Sequence, residues 1–152
     1  MDRNRLAVKP AVTIRAGDVA TAVALSRQIP EFDDPYPAGI YHSRLAGKLH
    51  RVLVAQAGGQ PVGFKVGYER SGFFYSWMGG VLPAWRGQGI ADALADAQEE
   101  WARRQGFDRI RLKTRNRHRA MILLAIRRGF DVLSVEPRET VPEYRIWMEK
   151  RL

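Results

Sequence analysis

Residues 81 to 94 read V-L-P-A-W-R-G-Q-G-I-A-D-A-L: an apolar run stopped by Pro83, an arginine, two glycines flanking one residue, then the first turns of a helix. A junction of this kind can hold phosphate. The first amides of a helix have no partner within it and carry partial positive charge, so those near Gly89 would point outward at an anion. Gly87 and Gly89 keep side chains away from that anion, and Arg86 adds a full charge beside it. A turn whose glycines only solve a backbone problem would use the same residues. Spacing excludes two common phosphate loops. A Walker-type loop needs Gly-Lys followed by Ser or Thr, and the only Gly-Lys, Gly47-Lys48, continues with Leu49. A dinucleotide fingerprint begun at Gly87 and Gly89 meets Asp92 where a small residue should let helix and strand pack closely.

The elements around this loop alternate between strand and helix. Val12 to Arg15 reads as a short strand, Asp18 caps a helix running to about Gln28, and Pro30 ends it. The segment P-E-F-D-D-P-Y-P, Pro30 to Pro37, is too rigid for regular structure and too apolar for a plain linker. A second helix covers Ile40 to Lys48. Arg51 to Tyr68 forms a hairpin around G-G-Q-P, and Phe73 to Val81 adds a third antiparallel strand. Beyond the loop, Ile90, Leu94, Ala97 and Trp101 define the core face of a helix, with Asp92, Asp96, Glu99 and Glu100 on its other faces. Gly106 is its left-handed stop. Arg109 to Thr114 alternates as a strand with one wet face. Ala120 to Arg128 is apolar almost all round, which predicts a helix buried on several sides. Asp131 to Glu136 and Tyr144 to Lys150 supply two last strands.

Composition bounds what these elements can do. At 152 residues and 45% hydrophobic content the chain makes one domain, residues 1–152, with residues 1–11 expected as a flexible arm. The absence of cysteine removes disulfides, thiolate zinc sites and a cysteine nucleophile, and it suits a reducing cytoplasm. His42, His50 and His118 lack ligand spacing and read as surface or loop residues, so no metal is expected. No window approaches the ~20 apolar residues of a membrane span, and the first residues lack a signal-peptide run; a soluble cytoplasmic protein is the expectation. Basic residues outnumber acidic ones 25 to 16, a net +9, and eight of them lie between Arg103 and Arg119. Only Phe107 offers an aromatic ring inside that stretch. Stacking platforms for single-stranded nucleic acid are missing there, and a solvated basic face is the plainer reading.

Two motifs in order carry a family resemblance. R-x-x-G-x-A, formed by Arg86, Gly89 and Ala91 after V-x-P at Val81 and Pro83, resembles the acetyl-CoA pyrophosphate loop of the GNAT superfamily of N-acetyltransferases. The stretch T-R-N-R-H-R-A-M-I-L-L-A-I-R-R-G-F, Thr114 to Phe130, resembles that superfamily's strand-end asparagine, following helix and Gly-Phe stop. The resemblance implies an α/β fold with a mixed, mostly antiparallel sheet of about six or seven strands flanked by about four helices. It also implies that Phe73 to Val81 and Arg109 to Thr114 splay apart, with the pantetheine arm in the wedge between them. Acetyl-CoA is the implied co-substrate. Arg86 and the main-chain amides of Gly87, Gln88, Gly89, Ile90 and Ala91 would hold its pyrophosphate, Val81 its pantetheine, and Asn116 would contact it from the fifth strand. Gly79-Gly80 could form the bulge that opens the wedge, or could serve close packing against a helix. Asn116 also reads as an N-cap.

The implied reaction is direct attack of a primary amine, on a small molecule or a peptide, on the thioester in a ternary complex. An amine with a pKa near ~10 must first lose a proton. Many relatives carry a glutamate for this on the fourth strand, where this chain has F-F-Y-S-W-M; the nearest acids by topology are Glu31, Asp33 and Asp34, with Glu31 first. A main-chain N–H near Val81 can serve the oxyanion. The superfamily's tyrosine acid stands four residues before the glycine of Gly-Phe, which is Ala125 here, so another hydroxyl, Tyr75 or Tyr144, would have to reach in from a strand. Acids and aromatics in the Glu31 to Tyr36 loop suggest a cationic or amine-bearing acceptor, and relatives often pair as homodimers. The alternatives are a domain that holds coenzyme A without turnover and a basic nucleic-acid-binding module.

Overall fold

Near-continuous apolar runs along the middle of the chain, buried on both faces, produce the sheet on which everything else rests. The computed structural model describes residues 10–152; most of the expected N-terminal arm lies outside the described residues. The elements run β1 (Val12–Ala16), α1 (Val19–Ser26), α2 (Ala38–Leu45), β2 (His50–Ala57), β3 (Gln60–Arg70), β4 (Phe73–Val81), α3 (Ile90–Arg104), β5 (Arg109–Arg115), α4 (Arg119–Arg127), β6 (Asp131–Glu136) and β7 (Arg145–Arg151). Single 3-10 turns at Pro83–Trp85 and Val141–Glu143 join β4 to α3 and β6 to β7. The seven strands form one sheet in the order β1-β2-β3-β4-β5-β7-β6, antiparallel everywhere except between β4 and β5.

Helices cover both faces. On one, Ala22 and Leu25 of α1 and Tyr41 and Leu45 of α2 bury Phe64, Val66 and Tyr68. On the other, Ile90 and Leu94 of α3 pack on Leu53, Ala55 and Val62, while Ala102 of α3 and Ala125 of α4 join Phe74, Ile110, Leu112 and Met148. The local signals read from the sequence operate as expected at several ends. Asp18 accepts from the Thr21 amide at 2.8 Å and caps α1. Gly106, at φ 92°, stops α3 while the Phe107 amide donates back to Ala102.

The parallel pair is short, and its shortness shapes the molecule. β4 and β5 pair only over Phe74–Ile110, Tyr75–Arg111 and Ser76–Leu112. Beyond Ser76 the two strands part, as a splayed pair was expected to. The bulge that bends β4 away lies elsewhere than expected. Val66 pairs with Met78 and Gly67 with Ser76, so Trp77 is the extra residue, while Gly79 and Gly80 stay paired with Lys65 and Phe64. These two glycines serve close packing instead: a Cβ on Gly80 would stand 2.7 Å from Ile29 Cδ1.

Two further expectations are corrected. α4 is not buried on several sides: Ala125 is its one fully buried residue, and Leu123 and Ile126 are 66% and 50% exposed. Apolar composition all round the helix reads as deep burial, but α4 leaves one side open to solvent and is tied to α3 through Arg127 and Arg128. Glu99 does not share the wet side of α3. It is 3% exposed, beneath α4, because Arg128 and Lys150 both reach its carboxylate.

Gly67 sits beside the bulge, where a Cβ would come 2.4 Å from Phe74 Cε1 and 2.8 Å from the Tyr75 carbonyl oxygen. Backbone cannot yield as a side-chain tip can. Gly67→Ala should therefore lower unfolding free energy by roughly 1–3 kcal/mol, read as a lower urea midpoint at unchanged slope.

Candidate active site

The loop that leaves β4 owes its shape to two backbone conformations that side-chain-bearing residues avoid. Gly87 has φ 75° and Gly89 φ 80°, with nothing within 4 Å of where either Cβ would stand. This left-handed turn swings the chain into α3. Gly89 occupies the N-cap position and provides no side chain to bond the first turn, and the Ala93 amide is the one that closes back onto the Gly89 carbonyl. The amides of Ile90, Ala91 and Asp92 are thus the unclosed donors of a helix 15 residues long. Asp92, the acid of that first turn, is drawn aside by Arg127 at 3.2 Å and Arg128 at 3.0 Å, so its charge does not stand over the amides.

Val81 lies at the rim of the gap. The Leu82 amide donates to Val62 on β3. By antiparallel alternation, Val81 turns its own N–H and carbonyl the other way, toward β5. Its carbonyl accepts from Arg86 Nε at 3.1 Å. The same guanidinium grips Glu31 through both terminal nitrogens at 2.7 and 2.8 Å. Arg86 and Glu31, read from the sequence as a coenzyme ligand and a base, are thus partners of one another. Both are nearly half exposed, so the pair adds little stability, ~0–1 kcal/mol, and its effect is to fix where the Pro30 to Pro37 loop runs. Arg86 hydrogen bonding holds the Glu31 carboxyl below the usual carboxylate range, against a smaller effect of burial.

The end of β5 forms the opposite rim. Asn116 is not an N-cap: His118 takes that position without a side-chain bond, and Asn116 Nδ2 donates to the Val141 carbonyl at 3.2 Å. Its amide donates to Tyr144, tying the β5 end to the turn before β7. Arg117 reaches Asp33 at 2.5 Å, with Arg115 at 3.6 Å from the same oxygen. One loop is therefore pinned at both rims, Glu31 toward β4 and Asp33 toward β5. Two of the acids that suggested a cationic acceptor, Glu31 and Asp33, are engaged by arginines.

Between these rims lies a residue that sequence reasoning passed over. His118 is partly buried, and burial, followed by the positive charges of Arg117 and Arg115, lowers its pKa below 6.5, with Glu31 and Glu143 opposing. The imidazole is therefore neutral at pH 7 and able to accept a proton. Its only signal in the sequence was its place two residues past Asn116. Tyr75, in contrast, is 3% exposed on the α1 and α2 face, packed on Tyr68 and Trp147, and burial pushes its phenol up to about 12. Tyr144 ends the 3-10 turn beyond Asn116 and is partly buried.

Most of the basic stretch is engaged in contacts within the chain. Of its eight cations, Arg103, Arg104, Arg109, Arg111, Arg115 and Arg117 each have a carboxylate partner, and Lys113 lies over the Trp147 ring. Among the described residues, no helix is long and apolar enough to cross a membrane.

Gly89 gives the sharpest test of the loop. Gly89→Val should cost roughly 1–3 kcal/mol of backbone strain and leave a folded chain, while the rise in melting temperature caused by acetyl-CoA disappears. Retention of that rise would remove the loop from the site.

Comparison with known proteins gives the same picture. The model of the acetyltransferase (GNAT) family matches residues 20–130. Among solved structures, the chain superposes on the ribosomal-protein-S18-alanine N-acetyltransferase from Escherichia coli with a TM-score of 0.79 at 18% identity, covering 93% of this chain and 94% of that one. Ard1 from Thermoplasma volcanium gives 0.80 at 22% identity, covering 93% and 98%. The protein yncA from Salmonella typhimurium, solved with its cofactor acetyl-CoA, gives 0.73 at 21% identity, covering 93% and 94%. No curated relative matches by sequence. With a family model spanning most of its length, the chain belongs to the GNAT family of acetyltransferases.

Proposed function

We propose that the chain transfers an acetyl group from acetyl-CoA to a primary amine by direct attack in a ternary complex, with the thioester in the gap between β4 and β5. The observation that carries this reading is the coincidence of two features at one rim: strands that stop pairing after Ser76 and Leu112, and three unclosed helix amides at the exit of β4. The amides of Ile90, Ala91 and Asp92, with the glycine turn before them, suit a diphosphate; Val81 offers main-chain groups to an amide-bearing arm laid along the gap. Asn116 steadies the opposite rim.

The acceptor nitrogen comes from the α1 and α2 face, past the Pro30 to Pro37 loop. It forms a bond to the carbonyl carbon, the carbon–sulfur bond breaks, and the electron pair leaves on sulfur. The nitrogen must also lose a proton. Glu31 and His118 both stand at the mouth, but a carboxylate held low by Arg86 is a weak base, whereas a neutral imidazole is suited to the task. His118 is therefore the preferred acceptor, with Glu31 holding the loop. Tyr75 lines the acceptor side as a buried wall. Peptide α-amines belong in the acceptor panel because the Escherichia coli neighbour is an alanine N-acetyltransferase; small-molecule amines complete it.

Thermal-shift titration with acetyl-CoA, NAD and a DNA oligonucleotide tests the binding half: acetyl-CoA alone should raise the melting temperature strongly, and a comparable, salt-sensitive shift from DNA would overturn the reading. Thiol release over the amine panel tests turnover. His118→Gln should lower kcat by about 10²–10⁴-fold with little change in KM for acetyl-CoA. Because the imidazole pKa is lowered, the wild-type rate should be flat through neutral pH and fall only on acidification below the ordinary histidine range. That acid limb should vanish in the variant.

A further inference from the structure

Where β4 and β5 part, the face of the sheet beneath α3 and α4 encloses a cavity of about 20 Å³, room for one water-sized group. Ser76 and Leu112, the last paired residues of the two strands, form part of its wall, with Gln98 and Glu99 from α3, Ala125 from α4, and Lys65 from β3. Lys65 reaches it because its cross-strand partner is Gly79. The lysine Cγ lies 3.3 Å from where a Cβ on Gly79 would stand, so the stem occupies the space that any other residue there would fill.

The polar groups of this cavity are incompletely used. Both side-chain atoms of Gln98 that can hydrogen bond are buried without a partner. Glu99, the nearest acid, is already committed: Lys150 holds Oε1 at 2.5 Å and Arg128 holds Oε2 at 2.8 Å. Arg128 is held in turn by Asp92 and Asp96. Lys65 thus stands beside a neutralised carboxylate and feels the cation of Arg128. Burial lowers its pKa from 10.5 to about 8, Arg128 adds to the effect, and Glu99 opposes it. Ala125 is the position at which the family resemblance calls for a tyrosine acid, and Ala125 faces the same cavity.

We propose that Lys65 is the catalytic residue that protonates the departing sulfur, reaching it from β3 across Gly79 in place of the missing tyrosine. The inference rests on the thioester lying in the strand gap. As the carbon–sulfur bond breaks, its electron pair goes to sulfur, and sulfur takes one proton from the Lys65 ammonium, leaving a neutral amine. The proton of the attacking nitrogen goes to the base at the opposite mouth, and Lys65 regains its proton from solvent once product leaves. A thiol pKa of ~8.5 is close to that of the lysine, so the transfer is near balance in both directions.

Lys65→Met keeps the stem and removes the ammonium, and Lys65→Arg keeps a charge that does not give up a proton. Both should lower kcat about 10²-fold or more with KM for acetyl-CoA little changed. Both should abolish the alkaline limb of the pH profile, which in the wild type falls above about 8 as the ammonium is lost. A readout independent of turnover is the thiol of bound coenzyme A, followed by thiolate ultraviolet absorbance. A nearby ammonium should lower its pKa in the wild type, and Lys65→Met should return it upward by about a unit. Unchanged kcat and alkaline limb in both variants, or a bound thiol that titrates identically in wild type and Lys65→Met, would overturn the proposal. Should Lys65→Met not fold, the kcat and pH profile of Lys65→Arg decide. If wild type fails to bind coenzyme A in the thermal-shift titration, the site reading itself fails; if it binds but the thiol ignores Lys65, only this inference fails.

Discussion

The structure depends on one interruption: a parallel strand pair that forms three cross-strand pairs and then stops. Every other neighbour in the sheet is antiparallel and stays in register over most of its length. A strand edge without a partner exposes main-chain donors and acceptors that must be satisfied somehow, and closing the gap would require only that β4 run straight. It does not, because Trp77 is an extra residue against β3 and adds local twist. Since α3 grows from the end of β4 and α4 from the end of β5, the divergence also sets the two helices apart and puts both connecting turns at the mouth of the gap.

Arginine does much of the fastening around that mouth. Arg86, Arg115 and Arg117 tie the Pro30 to Pro37 loop to both strand ends, and Arg128 ties α4 to three acids of α3. The two sets differ in energy. The mouth pairs are solvent-exposed and position a loop at little cost or gain, whereas Arg128 and Glu99 are buried, and stripping either partner would leave a charge in a dry place. Part of the basic content of this chain is therefore structural chemistry, laid down pair by pair.

Legibility in the sequence followed the range of the interaction. Strand and helix limits, the Asp18 cap, the Gly106 stop and the glycine turn at Gly87 and Gly89 are local, and a few neighbouring residues determine each. The bulge was misread because it depends on register against β3: glycine accepts a bulge, but Trp77 is where Val66 and Gly67 force one. Burial of α4 was misread because apolar composition does not reveal which side a neighbour leaves open. Glu99 reads as lying off the core face of α3, and its burial is not legible locally because its partners Arg128 and Lys150 come from 29 and 51 residues away. The pairing of Arg86 with Glu31 spans 55 residues and carries no motif at all. His118 was visible only as a lone histidine.

The chain's departures from its family's pattern fall on the two proton-transfer groups, and the structure gives a physical reason why the fold tolerates this. In the proposed reading the loop meets a diphosphate at fixed geometry, which leaves its glycines and amide positions little freedom. Proton transfer is less demanding: it needs a group of suitable pKa within reach, and reach can come from any element that borders the gap. Three elements border it here in addition to β4 and β5. The α1–α2 loop is pinned across it, the start of α4 brings His118 to its mouth, and β3 looks into it over Gly79. A tyrosine at Ala125 would have to share the cavity that Lys65 now enters. The small residue on α4 leaves that space open to the lysine on β3.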